Sequence, residues 1–500
     1  MARVVTRTTV GPDGLGAFLA PRTDLLLERA TADGCFEAAE GPVREYRRCV
    51  EVSPRSQGQS EVTQTVQFKL AIPYAAWLFV LPFRHAIARP PRSKTPWWAP
   101  PARLDARSSS VLGTLAVLSI IFAYLGTLFT QTVSFAGEEF GVGNSAQGVA
   151  GAAVRVGGVI ALIVVAAADR KGRRIVLLWS SLSGCLLALS GALAPSLPWL
   201  TASQTLARAF STALLVLVAI VSAEEVPAGA RAYAVSLLAM AAGFGAGICL
   251  IALRLADLGS RGWRLLYVIP VVALPLLPGV ARRLPETRRF TKPHADVRLA
   301  THRNQLLLLA VSGLLVNIFI APQSQFFTRF LRTEHGFSGA KIGLLAIAAG
   351  TPGGLGIIVG GRLADLHGRR VVGAVALSVG TVCTVVFFLA SGLGLWLWAM
   401  AGPIVFAASA PALGVYGPEL FPTSLRGRAN GILAVSGLAG SAIGLISVGV
   451  LSDQFDAIGP AMAMMAIGPV FVAGLVLARY PETARRELED INPEDRAPPP

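Results

Sequence analysis

Asp169-Arg-Lys-Gly-Arg-Arg174 returns 196 residues later as Asp365-Leu-His-Gly-Arg-Arg370. Two further pairs keep step with it. Glu224-Glu-Val-Pro-Ala-Gly-Ala-Arg231 reappears after 195 residues as Glu419-Leu-Phe-Pro-Thr-Ser-Leu-Arg426, and Pro285-Glu-Thr287 after 196 as Pro481-Glu-Thr483. A single match of this length carries little weight. Three in one order at one spacing mean that the chain from about residue 109 is a duplicated unit. Between the motifs run apolar stretches of the length a bilayer-spanning helix needs, about 20 residues.

The composition agrees. The 500-residue chain is 53% hydrophobic and only 15% charged, with a mean hydropathy of +0.59, whereas soluble chains carry about 25% charged residues. The 52 glycines suit close helix–helix approach in lipid. The net charge of +15 reads as loop charge on the cytoplasmic side, not as a nucleic-acid footprint. Only 5 of the 44 basic residues are Lys, which with abundant Ala, Gly, Val and Pro points to a GC-rich coding sequence and a bacterial source. The cysteines (35, 49, 185, 249, 383) show no metal-ligand or redox-motif spacing and read as small apolar core residues.

Residues 1–108 read as a polar, cytoplasmic, largely disordered extension. Its one apolar stretch, Leu70 to Phe83, holds Pro73 and Pro82 and is too short to span; it reads as interfacial or partly disordered. Spans are expected near 111–136, 146–168, 175–193, 199–222, 232–253, 263–283, 305–328, 341–361, 371–390, 394–416, 428–452 and 457–479. The expected fold is an all-α integral membrane protein of twelve transmembrane helices in two pseudo-symmetric six-helix bundles, 109–283 and 305–480. A cytoplasmic loop at 284–304 joins them and a cytoplasmic tail at 481–500 follows. Each span must be helical, because backbone in lipid has to satisfy its own hydrogen bonds. Arg and Lys concentrate in the loops after spans 2, 4, 6, 8, 10 and 12, which puts both termini in the cytoplasm of a multi-pass plasma-membrane protein. Arg254, Arg261, Arg264, Arg329 and Arg332 are the exceptions.

The doubled Asp-x-x-Gly-Arg-Arg loops after spans 2 and 8 resemble the loop signature of the major facilitator superfamily. The Glu…Pro…Arg loops after spans 4 and 10, and the Pro-Glu-Thr after spans 6 and 12, resemble its sugar-porter and related metabolite-transporter branch. The resemblance covers about residues 109–491. It implies a secondary active or facilitative transporter that moves a small organic solute by alternating access, a monomer in the lipid bilayer with no cofactor. A multidrug/proton antiporter is the second reading, weakened by the missing Gly-Pro after Gly243, Gly245 and Gly247 in span 5. A transporter-like membrane sensor is the rival of another class.

On that resemblance Asp169, Arg173, Arg174, Glu224 and Arg231, with Asp365, Arg369, Arg370, Glu419 and Arg426, form charge networks that gate the inner side; the alternative is that they are solvated charges fixing topology. The first copy has Val165 where the second keeps the motif glycine, Gly361. Substrate-contact candidates come from the first span of each half. Tyr124, Thr127 and Gln131 share one helix face with Thr130 adjacent, and Asn317, Gln323, Ser324 and Gln325 lie in span 7. Interhelical hydrogen bonding is the competing role for each.

Arg155 and Arg208 fall near mid-membrane, where a charge costs at least about 2.5 kcal/mol unless it finds a partner or a wet cavity. No Asp or Glu lies in the membrane part of any span; the nearest are Glu138 and Glu139 at the outer end of span 1. An anionic substrate, a carbonyl partner or that rim pair are the three readings for these arginines. Proton coupling is implied by the resemblance alone, and no sodium site is visible. The five His (85, 294, 302, 335, 367) all fall in loops or the extension, so no metal site and no enzyme is expected.

Overall fold

Ser60-Glu-Val-Thr-Gln-Thr-Val-Gln-Phe-Lys-Leu70 buries every second side chain, Val62, Gln64, Val66, Phe68 and Leu70, the period of a strand with one face on a core. The computed structural model describes residues 2–55, 59–74, 76–90, 96, 98–100, 102–227, 230–286, 302–421 and 425–483, without the side chains at 12, 13, 169, 170, 223, 231, 232, 358, 362, 365, 418 and 426–428. The inter-bundle loop after 286, up to 301, and the tail from 484 thus lie outside the described residues.

Residues 2–70 form an antiparallel sheet of β1 (Ala2–Val10), β2 (Leu27–Ala30), β3 (Cys35–Glu40), β4 (Val43–Pro54) and β5 (Ser60–Leu70). The strand order is β1-β5-β4-β3-β2. Helix α1 (Pro12–Leu19) follows β1. Helix α2 (Ala76–Ile87) covers the sheet through Phe83 and Ile87, with the Phe68 and Phe83 rings 5.0 Å apart. The expectation of a largely disordered extension is therefore corrected. Part of the sheet domain's interior is ionic, which hides it from an apolar count. Buried Glu28 accepts from Arg48 Nε at 2.8 Å, the Tyr46 hydroxyl at 2.6 Å and the Arg22 backbone at 2.7 Å. Arg22 donates onward to Asp24 at 3.1 Å and to the carbonyls of Ala86, Ile87 and Arg89, closing the C-terminal end of α2. Burial, then the charge of Glu28, drives the Tyr46 hydroxyl well above its ordinary range.

Cys35 and Cys49 stand opposite each other on β3 and β4 and are joined as a disulfide, Cα to Cα 4.3 Å. Their reading as apolar core thiols is corrected: strand register, invisible in a spacing of 14, brings them together. Cys185, Cys249 and Cys383 are free and buried, as expected.

Among the described residues, twelve helical stretches are long and apolar enough to cross a membrane: Ala106–Glu139, Asn144–Ala168, Arg173–Ala192, Leu197–Ser222, Tyr233–Leu258, Gly262–Arg283, Arg303–Thr333, Gly339–Gly361, Arg369–Leu389, Gly392–Leu413, Ala429–Phe455 and Ile458–Arg479. They are numbered spans 1–12 in that order. Pro270, Pro275 and Pro278 withhold backbone donors from span 6, which runs as tight 3-10 turns before its last helical stretch, Leu277–Arg283.

Spans 1–6 and 7–12 make two halves, which meet where span 2 packs on span 11, span 5 on span 8 and span 1 on span 7. Glycine decides the closest approach. A Cβ on Gly148 would sit 2.3 Å from the Leu445 carbonyl, and one on Gly449 2.8 Å from that of Asn144. The end bearing the basic loops is called inner below.

The 14-residue separation of the disulfide predicts that Cys35→Ser/Cys49→Ser removes about 3 kcal/mol from the sheet domain. Hydrogen exchange on the full chain should show faster β3–β4 amides with spans 1–12 unaffected; unchanged protection there would contradict the assignment.

Candidate functional site

The duplicated motifs fold into duplicated clamps. Gly172 and Gly368 both hold φ +94°, a left-handed turn that glycine accepts freely. Each turn starts the next span, whose first N–H groups have no partner within the helix. The missing acceptor comes from the Pro-Glu-Thr motif. Glu286 accepts from Arg173 N at 2.7 Å and Arg174 N at 3.4 Å; Glu482 accepts from Arg369 N at 3.0 Å and Arg370 N at 3.2 Å. A carboxylate there also meets the positive end of the helix dipole. The arginines turn back in kind. Arg174 Nη2 donates to the Ala281 carbonyl at 2.7 Å, and Arg370 donates to that of Leu477. Arg173 pairs with Glu224, and Arg369 with Glu419 and the Thr483 hydroxyl. Each half thus ties spans 2, 3, 4 and 6, or 8, 9, 10 and 12, together at the inner end. Tyr416 and Tyr480 stack edge to face beside the second clamp; burial, then the charge of Glu482, pushes the Tyr416 hydroxyl up to about 12. The side chains of Asp169, Arg231, Asp365 and Arg426 lie outside the described residues.

At the outer end the carboxylates cross between halves. Asp257, at the end of span 5, accepts from Gly339 N at 2.6 Å and Ala340 N at 2.9 Å at the start of span 8. Asp453, at the end of span 11, accepts from Asn144 N at 2.9 Å and Ser145 N at 2.8 Å at the start of span 2. These two locks are also 196 residues apart. Sequence reasoning missed them, although the repeat spacing carries the signal. Arg332 reinforces them by gripping Glu138 at 2.6 and 2.8 Å over the Phe135 ring, and Arg329 donates to the Asn144 side chain at 2.9 Å. Glu139 stays within its own half, held by Trp263 at 2.8 Å and Arg264 at 2.9 Å. Together these contacts join the two halves at the outer end.

Between the two ends lies a small cavity lined by Leu125, Gly126, Phe129, Thr130, Gly151, Val154, Arg155, Gln204, Arg208 and Gln325. It leaves about 10 Å³, room for one water molecule. Gly157 lets spans 2 and 4 touch there, since a Cβ would meet the Thr205 carbonyl at 2.2 Å. Arg208 donates to the Gly126 carbonyl at 2.7 Å, and Gln325 to that of Gln147 at 2.9 Å.

Of the sequence candidates, Thr130, Arg155, Arg208 and Gln325 share this cavity; Gln204 joins them unforeseen. Four others have other partners. The Tyr124 hydroxyl donates to the Leu266 carbonyl at 2.8 Å, and Thr127 bonds its own helix at Ala123. Gln131 accepts from Thr328 of the other half at 2.8 Å, and Asn317 donates to Gly313 in its own helix. Gln323 and Ser324 do not line the cavity. A shared helix face fixes a common direction and leaves open which neighbour fills it. Among the described residues no group of three or more His, Cys, Asp or Glu is placed to hold a metal ion.

Two mirrored six-span halves closed around a mid-membrane cavity define a multi-pass membrane protein of the alternating-access type of architecture. The family model of the Major Facilitator Superfamily matches residues 111–405 and 323–499, and the chain belongs to that superfamily. No curated protein matches. Among solved structures, a bacterial homolog of the human lysosomal transporter Spinster, inward-facing and unoccupied, is 16% identical with a TM-score of 0.64 over 79% of this chain and 99% of its own. The xylose transporter XylE from E. coli, inward open, is 17% identical with a TM-score of 0.62 over 77% and 99%. The nucleoside transporter NupG is 13% identical with a TM-score of 0.60 over 74% and 98%. At these identities the likeness is one of fold.

Removing Glu286 should free the Arg173 and Arg174 amides. Glu286→Ala is expected to speed their hydrogen exchange about five-fold, as loss of a helix cap worth about 1 kcal/mol does, while Arg369 and Arg370 keep their protection. Glu482→Ala should give the mirror image. Equal protection in both variants and wild type would contradict the clamps.

Proposed function

We propose that this chain carries a small organic anion across the membrane by alternating access, the anion bridging Arg155 and Arg208 in the central cavity. The observation that carries this reading is the pair itself. Two guanidinium groups line one mid-membrane cavity, and no carboxylate lies in the membrane part of any span. Arg208 has a single carbonyl acceptor; Arg155 has no hydrogen-bond or ion-pair partner among the described residues. A cation at that depth is costly unless it is paired, and a guanidinium presents a planar fork of donors that matches a carboxylate or phosphate. Gln204, Gln325 and Thr130 supply neutral hydrogen bonds around the same space.

In this reading the state described here has its outer ends joined across the halves. Asp257, Asp453 and Arg332 hold the outer ends together, while Glu286 and Glu482 cap helices of their own halves. Opening outward breaks the crossed pairs and leaves the inner clamps to move as rigid ends. Asp169 and Asp365 then gate the inner side. The D-xylose–proton symporter shares this fold; proton coupling here falls to Glu138, whose bond to Arg332 spans the halves.

Counterflow in proteoliposomes tests the reading against labelled carboxylates, sugars and lipophilic cations. An organic carboxylate or phosphate is expected to exchange. Arg208→Gln and Arg155→Gln should each lower that exchange about ten- to a hundred-fold, the loss of a hydrogen bond to a buried charge. Exchange of a sugar or cation, indifferent to both substitutions, would overturn it.

A further inference from the structure

The sheet domain is seated on span 6, and the seat contains a second cavity. Pro73 packs onto Gly113, where a Cβ would come within 2.8 Å of it. Tyr74, held at φ +62°, reaches over Gly279 to donate its hydroxyl to the Leu276 carbonyl at 3.3 Å. A non-glycine residue in that left-handed region carries a strain that its surroundings must hold. Leu276 lies about 10 Å along the helix from Arg283 at the inner end of span 6, so the seat is at the depth of the lipid headgroups and upper acyl chains.

The cavity beside it is an open groove of about 340 Å³. Phe68, Leu70, Ile72 and Val80 give it an apolar floor, and Arg44, Lys69 and Arg283 bring three cations to its wall. Arg283 lies over the Tyr74 ring at 5.0 Å. Lys69 has only a 3.4 Å exposed contact with Glu45, and Arg44 has no partner among the described residues. Helix α2 leaves from this seat and exposes Trp77, Leu78 and Leu81, at 71, 53 and 71% of their surface. An apolar helix face beginning with Trp suits the interface of a bilayer.

We propose that this seat binds an anionic phospholipid of the inner leaflet, its phosphate against Arg44, Lys69 and Arg283 and its acyl chain along Phe68, Leu70 and Val80. Trp77, Leu78 and Leu81 enter the same leaflet. The observations favour a lipid over a soluble anion, because the cations close onto an apolar floor and the site opens beside a membrane span. The bound lipid then fastens the sheet domain to the transporter body, independently of what the central cavity carries.

The test titrates the full-length protein in detergent with dioleoyl phosphatidylglycerol and with dioleoyl phosphatidylcholine, counting bound lipid by native mass spectrometry. Inorganic phosphate and oleate serve as competitors. Phosphatidylglycerol is expected to bind the tighter of the two lipids. Arg44→Gln should weaken it about five-fold, the effect of one basic residue at a charged interface, and Arg44→Gln/Lys69→Gln should weaken it further. Both residues are exposed on the sheet, so neither substitution disturbs the core. Phosphatidylcholine binding and counterflow through the central cavity should not change. Equal affinity for both lipids, or phosphatidylglycerol binding indifferent to Arg44→Gln, would overturn the proposal. So would displacement by phosphate or oleate alone at equal concentration, which would assign the cavity to a soluble ligand.

Discussion

Carboxylates set against the first N–H groups of helices hold this molecule together, and four of them form two repeated pairs. Glu286 and Glu482 do so inside each half; Asp257 and Asp453 do so across the halves. The physics is the same at each place: orphan donors, a positive helix end and an acceptor carrying full charge. The consequence differs with where the acid is anchored. An acid bonded within its own half makes that half rigid. An acid bonded to the other half makes a contact that must break before the outer face can part. A rocking machine needs both kinds, and the duplication provides each as a pair.

The centre of the molecule has the opposite arrangement. There the charges are cations, and the acids that balance cations elsewhere in this chain stay at the two ends. Glu139 takes Arg264, Glu138 takes Arg332, Glu224 takes Arg173 and Glu419 takes Arg369. Arg208 has one carbonyl and Arg155 no partner among the described residues, which leaves both to whatever enters the cavity. With room for about one water molecule, the cavity as it stands is too tight for an organic solute, so loading must accompany a change in how the halves meet. Spans 2 and 4 carry the arginines in the first half, while Gln325 reaches the same cavity from span 7 of the second. A bound anion would therefore touch both moving parts.

Much of this was legible in the residues. All twelve spans fall within a few residues of their expected places, because an apolar run of bilayer length between basic loops has one stable structure. The repeat spacing also contained Asp257 and Asp453, but a lone aspartate beside no distinctive neighbours does not announce a lock. The partner of Tyr124 was hidden for a different reason: helix periodicity gives its direction, and the Leu266 carbonyl that accepts its hydroxyl sits 142 residues away. The sheet domain was hidden because its inward positions include Gln64, Arg48, Glu28 and Arg22, which look like solvent-facing residues until their partners are known.

The central claim is that two halves swing against each other and that Asp257 and Asp453 hold their outer ends shut. The direct measurement is a spin-label distance between Leu193→Cys and Leu393→Cys, exposed sites on outer turns of opposite halves, with and without Asp257→Ala/Asp453→Ala. The account predicts one short distance with the aspartates present and an added, longer population without them. An identical distribution in both proteins would contradict it.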